Sequence, residues 1–146
     1  GYDLTDTLKL LEGIVDIYMP DIKFADDRLA QKYLGVKNYY TIAKNAVKEM
    51  YRQVGDLLTD ERGIAYRGLL VRHLVMPGNI AGTGEIMRFI ADEISKETYV
   101  NIMAQYYPAH RAYEFEELKR GVTAHEFSKA VQAARAAGLN NIKAFD

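Results

Sequence analysis

Leu69-Leu70-Val71-Arg72-His73-Leu74-Val75-Met76-Pro77-Gly78 is the stretch whose reading decides the fold. Eight residues of nearly continuous apolar character suit a strand buried on both faces, as in a parallel sheet. Proline cannot donate to a sheet ladder, so Pro77 marks where a central strand must stop. The chain has only three prolines. The other two follow similar runs: residues 14–19 before Pro20, and a strand at about 99–105 before Pro108. Helical signals separate the three runs. Strand–loop–helix units of this kind predict an α/β fold with parallel strands, each followed by helices. In such sheets ligands bind at the carboxyl ends of the strands, so the residues around the prolines are the place to look for function.

The intervening segments carry helix signals. A short helix is expected over residues 5–12, closed by Gly13. Asp26 is placed to cap a helix over residues 27–34, with Gly35 beyond its end. Asn38 is placed to cap a longer helix ending at Val54, with Ile42, Ala46, Met50 and Val54 on one face and Lys44, Lys48 and Arg52 on another. Residues 57–59 and 64–67 flank Asp60-Glu61-Arg62-Gly63 and read as a small hairpin insertion. A helix over 85–94 follows the second strand. Residues 107–121 read as a loop with a short helix at 114–118. Thr123-Ala124-His125-Glu126 is a capping box that opens a helix to Ala137, with Phe127, Val131 and Ala134 inward. Residues 141–145 form a last short strand.

Composition bounds the function classes. The 146 residues suit one domain with a real core. Hydrophobic residues make up 49% and charged residues 27%, which argues against disorder. A net charge of −1 gives no basic field for nucleic acid or an anionic membrane. No apolar run approaches a membrane span, and no signal sequence is evident at Gly1, so a cytoplasmic setting is expected. The chain has no cysteine, which excludes disulfides, thiolate metal ligands and cysteine nucleophiles within it.

Asp16, Arg72, His73, Asn101 and Gln105 interrupt apolar strands, where an ionised side chain is costly unless paired. Alternation along the strand puts Arg72 and His73 on opposite faces. Two readings stand: a self-satisfying Asp–Arg pair, with Asp16 the partner, or a polar interior that receives a charged ligand. Asp21 and Lys23 share a face just past a strand end, suiting a zwitterion, although an ordinary solvated loop has the same pattern. Residues 77–84 lack both the P-loop lysine and the dinucleotide spacing, so a tight connection is the plainer reading. Tyr106-Tyr107-Pro108 places rings at a strand end, where they wall a ligand or lid the core. His110 and His125 stand alone, and no two histidines have metal-ligand spacing.

Three of these segments together carry a resemblance. Ile17-Tyr18-Met19-Pro20-Asp21-Ile22-Lys23-Phe24 resembles the D-x-K strand end of radical S-adenosylmethionine enzymes of the pyruvate formate-lyase activating type. Leu70 through Gly78, with its inward arginine and Pro-Gly end, is similar to that family's next strand, and Asn101 through Pro108 to the strand after it. The resemblance extends from about Gly1 to Gly138 and is closest to the branch related to the activating enzymes. It implies the C-terminal half of a partial (β/α) TIM-like barrel. It further implies an oxidoreductase whose 4Fe–4S cluster reductively cleaves S-adenosylmethionine, with hydrogen then taken from a substrate or from a glycine of a partner protein. Asp21, Lys23 and Arg72 match positions that in the family line the S-adenosylmethionine and substrate cavity; Asn101, Gln105 and Tyr107 are further candidates.

The sequence departs from the family twice. The cluster-binding cysteine motif is absent, so the chain is expected to be a catalytically silent portion of a longer enzyme. Tyr107 stands near a position where activating enzymes often carry a histidine that serves the ribose side. Two rival readings remain. One is a half-barrel module that self-associates through exposed strand edges. The other is an unrelated lyase working through Lys23, for which no base is evident nearby.

Overall fold

The computed structural model describes residues 1–145. Four parallel strands lie in sequential order: β1 (Ile17–Tyr18), β3 (Ala65–Leu74), β4 (Tyr99–Met103) and β5 (Ile142–Phe145). β2 (Leu58–Thr59) pairs antiparallel with the start of β3, forming the hairpin insertion. The helices are α1 (Thr5–Lys9), α2 (Asp27–Leu34), α3 (Tyr39–Val54), α4 (Thr83–Glu93) and α5 (Ala124–Ala136). The protein is therefore α/β, with helices following its parallel strands.

β3 organises the sheet, and its alternation is asymmetric. Leu69, Val71 and His73 are wholly buried, whereas Leu70, Arg72 and Leu74 are half-buried. The same division continues in β4, where Val100 and Ile102 are buried and Tyr99, Asn101 and Met103 half-buried. The buried side meets the helices, through Val47 and Met50 of α3, Ile86 and Ile90 of α4, and Ala130 and Ala134 of α5. A sheet whose strand order never reverses sends each right-handed crossover to the same side. One face is thus covered by helices and the other carries the row Asp21, Arg72, Asn101, Lys143.

His73 is the polar member of the covered face. Its Nδ1 lies 2.9 Å from the Ile22 carbonyl and its Nε2 2.9 Å from Thr83 Oγ1. A carbonyl only accepts, so Nδ1 carries the proton and Nε2 accepts from the threonine hydroxyl. The neutral imidazole ties the segment after β1 to β3 and to the first turn of α4. Gly68 has a different task. Its φ is +122°, and a Cβ there would stand 2.3 Å from the Asp56 carbonyl oxygen, so only glycine lets that backbone approach.

Several boundaries depart from the sequence reading. The first strand is Ile17–Tyr18, not residues 14–19, yet pairing resumes beyond Pro20. The Arg72 N–H donates to the Pro20 carbonyl (2.9 Å) and the Ile22 N–H to the Arg72 carbonyl (3.1 Å). Pro20 thus interrupts the ladder without ending it: in this register its missing N–H is the donor that the Leu70 carbonyl would receive, while its own carbonyl still accepts from Arg72. β3 runs from Ala65 to Leu74, merging the hairpin arm with the central strand. β4 stops at Met103, five residues before Pro108, so that proline ends no strand. α1 stops at Lys9, and α4 starts two residues early at Thr83. Asn38 caps nothing with its side chain; the Asp27 carboxylate of α2 accepts from the Tyr40 N–H instead (2.6 Å). The buried stripe of α3 is Ala43, Ala46, Val47, Met50 and Val54, shifted from the expected Ile42 row. Residues 110–118 form two 3₁₀ turns, His110–Glu114 and Glu116–Leu118. The Asp26 cap of α2 and the Thr123–Glu126 capping box of α5 form as expected.

Burial of His73 disfavours its charged form and pushes its pKa down to about 4, against the hydrogen bond to Ile22 that favours the cation. The unfolded chain protonates this histidine below about 6.5 and the folded chain does not. Its contribution is therefore complete above pH 6.5 and is lost as pH falls toward 4, by roughly 3 kcal/mol. Urea denaturation across that window should show the loss, and side-chain nitrogen NMR should show a neutral Nδ1–H ring that begins to take up a proton only as pH nears 4.

Candidate functional site

The carboxyl ends of β1 and β3 bring together three of the residues singled out by sequence. Asp21 bridges to Arg72 across the interrupted ladder. Arg72 Nε donates to Asp21 Oδ1 at 2.7 Å, and Lys23 Nζ donates to Asp21 Oδ2 at 3.0 Å. Strand alternation explains the convergence: Asp21 and Lys23 are two apart on one face, and Arg72 points the same way from the adjacent strand. Ile22, between them, turns into the core.

One carboxylate therefore serves two cations, leaving the cluster with a net positive charge. Among the described residues the terminal nitrogens of Arg72 carry no hydrogen bond, and Lys23 Nζ has one. Arg72 and Lys23 remain 38% and 43% exposed, so both keep donors for an incoming anion. Burial by itself would raise the Asp21 pKa, but the hydrogen bonds and charges of Arg72 and Lys23 outweigh it and hold the carboxyl below its ordinary range.

Asn101 is the register neighbour of Arg72 on β4, and its Oδ1 is buried without a partner among the described residues. It is a buried acceptor in register with a guanidinium. Gln105 and Tyr107 lie past the end of β4 and are exposed, Tyr107 at 75%, so neither joins the cluster. Asp16 is exposed too; the carboxylate that meets Arg72 belongs to Asp21.

Two hollows flank the cluster. A cleft of about 610 Å³ runs along the β1 edge, with Leu8, Leu11, Met19 and Met50 on its walls and Asp21, Lys23 and Arg72 within it. A second, of about 310 Å³, lies between α2 and the segment after β4. Lys23 and Leu34 line both. Sequence reasoning chose Tyr107 over Tyr106, yet Tyr106 lines the second hollow, with its hydroxyl donating to the Leu118 carbonyl (2.9 Å). The hydroxyl partner lies twelve residues away, so no local signal distinguished the two tyrosines. Phe24, Tyr33 and Phe115 were likewise invisible as site residues, because each reads as ordinary core. Among the described residues no group of three histidines or carboxylates is arranged to hold a metal. Among the described residues no helix is long and apolar enough to cross a membrane.

No protein-family model matches the chain. It is similar to Uncharacterized protein MJ0674 of Methanocaldococcus jannaschii, with 32% identity over 142 residues. That match covers 97% of this chain and 38% of the archaeal protein, so the chain spans less than half the length of the curated relative it matches.

Removing the guanidinium should release Asp21. In an Arg72→Gln variant the Asp21 carboxylate should titrate at a higher pH than in the parent chain, toward the ordinary aspartate range. Carboxylate-carbon NMR against pH checks this; an unchanged midpoint would mean that the pair does not form in solution.

Proposed function

We propose that this chain is the C-terminal half-barrel of a radical S-adenosylmethionine protein similar to the pyruvate formate-lyase activating enzymes. The observation that carries the reading is the meeting of Arg72 and Lys23 on Asp21, at the carboxyl ends of adjacent parallel strands, on the sheet face opposite the packed helices. Sequential strand order with one-sided helices suits a barrel segment better than a doubly wound sheet, in which the order reverses. The partial match to a longer relative suits it as well.

The residues present fit part of the ligand. A planar guanidinium edge and a lysine suit the carboxylate of the methionyl group. Both Asp21 oxygens are engaged and Asn101 Oδ1 is buried, so an acceptor for the ammonium would come from the rest of the longer enzyme. The residues do not fit the iron–sulfur cluster, since the chain has no cysteine. Its ligands would belong to the rest of the longer enzyme, as would the hydrogen abstraction from a substrate or a partner glycine. In this reading the present residues bind and orient S-adenosylmethionine, and the chain alone is catalytically silent.

Calorimetric titration of the chain with S-adenosylmethionine tests the reading. Binding is expected, and Arg72→Gln should weaken it about 10- to 100-fold through loss of a charge-assisted hydrogen bond. No binding at millimolar ligand, or binding indifferent to Arg72, would rule the reading out.

The half-barrel also favours self-association. β1 is a sheet edge, and Ile14, Ile17 and Met19 beside it are 71%, 38% and 55% exposed. An apolar edge strand of this kind recruits another strand. Sedimentation should give a mass above 16.6 kDa that falls on dilution. An Ile17→Lys variant should remain at the monomer mass; a parent chain that is monomeric at all concentrations would exclude the idea.

A further inference from the structure

We propose that the 310 Å³ hollow beside Lys23 is the subsite for an aromatic carboxylate, which names a substrate class for the enzyme of which this chain is part. The inference rests on reading Lys23 as part of an anion site. The walls are rings and alkyl groups: Phe24, Tyr33, Tyr106, Phe115, Leu74 and Met76. Phe24 and Tyr33 are stacked at 5.9 Å, and Phe115 meets Tyr33 edge-on at 5.1 Å. The three rings brace one another, with Phe24 almost wholly buried, and the partly exposed Tyr33 and Phe115 carry the aromatic surface of the wall.

The polar tips of these walls are already satisfied. The Tyr33 hydroxyl and Lys32 Nζ both donate to Glu117 Oε1, and the Tyr106 hydroxyl donates to the Leu118 carbonyl. The hydroxyls are held by protein acceptors, and Lys32 Nζ lies over the Tyr33 and Phe115 rings at 4.9 and 5.5 Å, so the ring surface on the remaining side lines the hollow. These bonds also fasten α2 to the segment after β4, so the subsite is formed in advance of binding. On the outer rim Arg111 is engaged by Glu114, and His110 lies beside it.

Charge enters from the inner rim. Lys23 lines the hollow, and Leu74 lies on the same face of β3 two residues beyond Arg72. A ring in the hollow therefore directs a short acidic tail toward Lys23, the member of the cluster that lines it, while Arg72 lines the other cleft. The volume sits at the small end of ligand sites, which suits one or two fused rings.

Binding of indole-3-propionate to the chain by saturation-transfer NMR and calorimetry tests this, with the uncharged indole-3-propionamide and the ringless hexanoate as comparisons. The acid should bind about tenfold or more tightly than either. Lys23→Gln should remove most of its advantage over the amide. Leu74→Trp, at a half-buried position, should fill the hollow and abolish binding of the acid, with circular dichroism confirming that the variant is folded. Equal affinity for the amide, equal affinity for hexanoate, undiminished binding in folded Leu74→Trp, or no binding at millimolar acid would each overturn the proposal. S-adenosylmethionine is absent from these titrations. A chain that binds it but not the aryl acid overturns the subsite alone, and the converse overturns only the earlier reading.

Discussion

The two-sidedness of β3 is the constraint on which the rest of this structure depends. Every other strand segment of the sheet except β5 pairs with it directly. Its odd-numbered side chains from Leu69 onward are sealed under helices, and its even-numbered ones face the opposite side. A polar residue on either side must then be satisfied in a different way. His73 is satisfied inside, as a neutral ring held by a carbonyl and a hydroxyl. Arg72, one residue earlier, is satisfied at a half-open surface by a carboxylate, and there it keeps free donors. The same ten residues therefore supply a structural clamp and a candidate binding group.

The Asp21 cluster is better understood as positioning than as stability. Its members are partly exposed, and ion pairs of that kind contribute little to folding. What the cluster does is fix two long, flexible cations at known places on the open face. Pro20 contributes by breaking the ladder at one residue, after which Asp21 resumes pairing and its carboxylate lies across from Arg72. The neighbouring aromatic hollow shares Lys23 with this cluster, so charge and apolar surface meet at one side chain.

Much of the architecture was legible because its signals are local. Asp26, the Thr123–Glu126 box and the turn at residues 60–63 act within a few residues, and each forms where it was read. The prolines were legible as punctuation but not as strand ends. Whether a missing N–H matters depends on which neighbour would have received it, and that neighbour lies some fifty residues away. The partner of Arg72 was misassigned for a similar reason. Asp16 lies in the apolar run and Asp21 outside it, so pattern favoured the first, while the pairing of β1 with β3 selected the second.

By itself the sequence determined the alternation of strands and helices, the caps, the opposite facing of Arg72 and His73, and the lack of any thiolate ligand. These follow from backbone periodicity, side-chain chemistry and composition, which need no knowledge of distant neighbours. Only the tertiary structure decided that Asp21 is the carboxylate shared by Arg72 and Lys23, that Tyr106 and not Tyr107 turns inward, and that Phe24, Tyr33 and Phe115 meet around one hollow. Each of those depends on register and packing between segments far apart in the chain, and contacts of that kind leave no mark on local pattern.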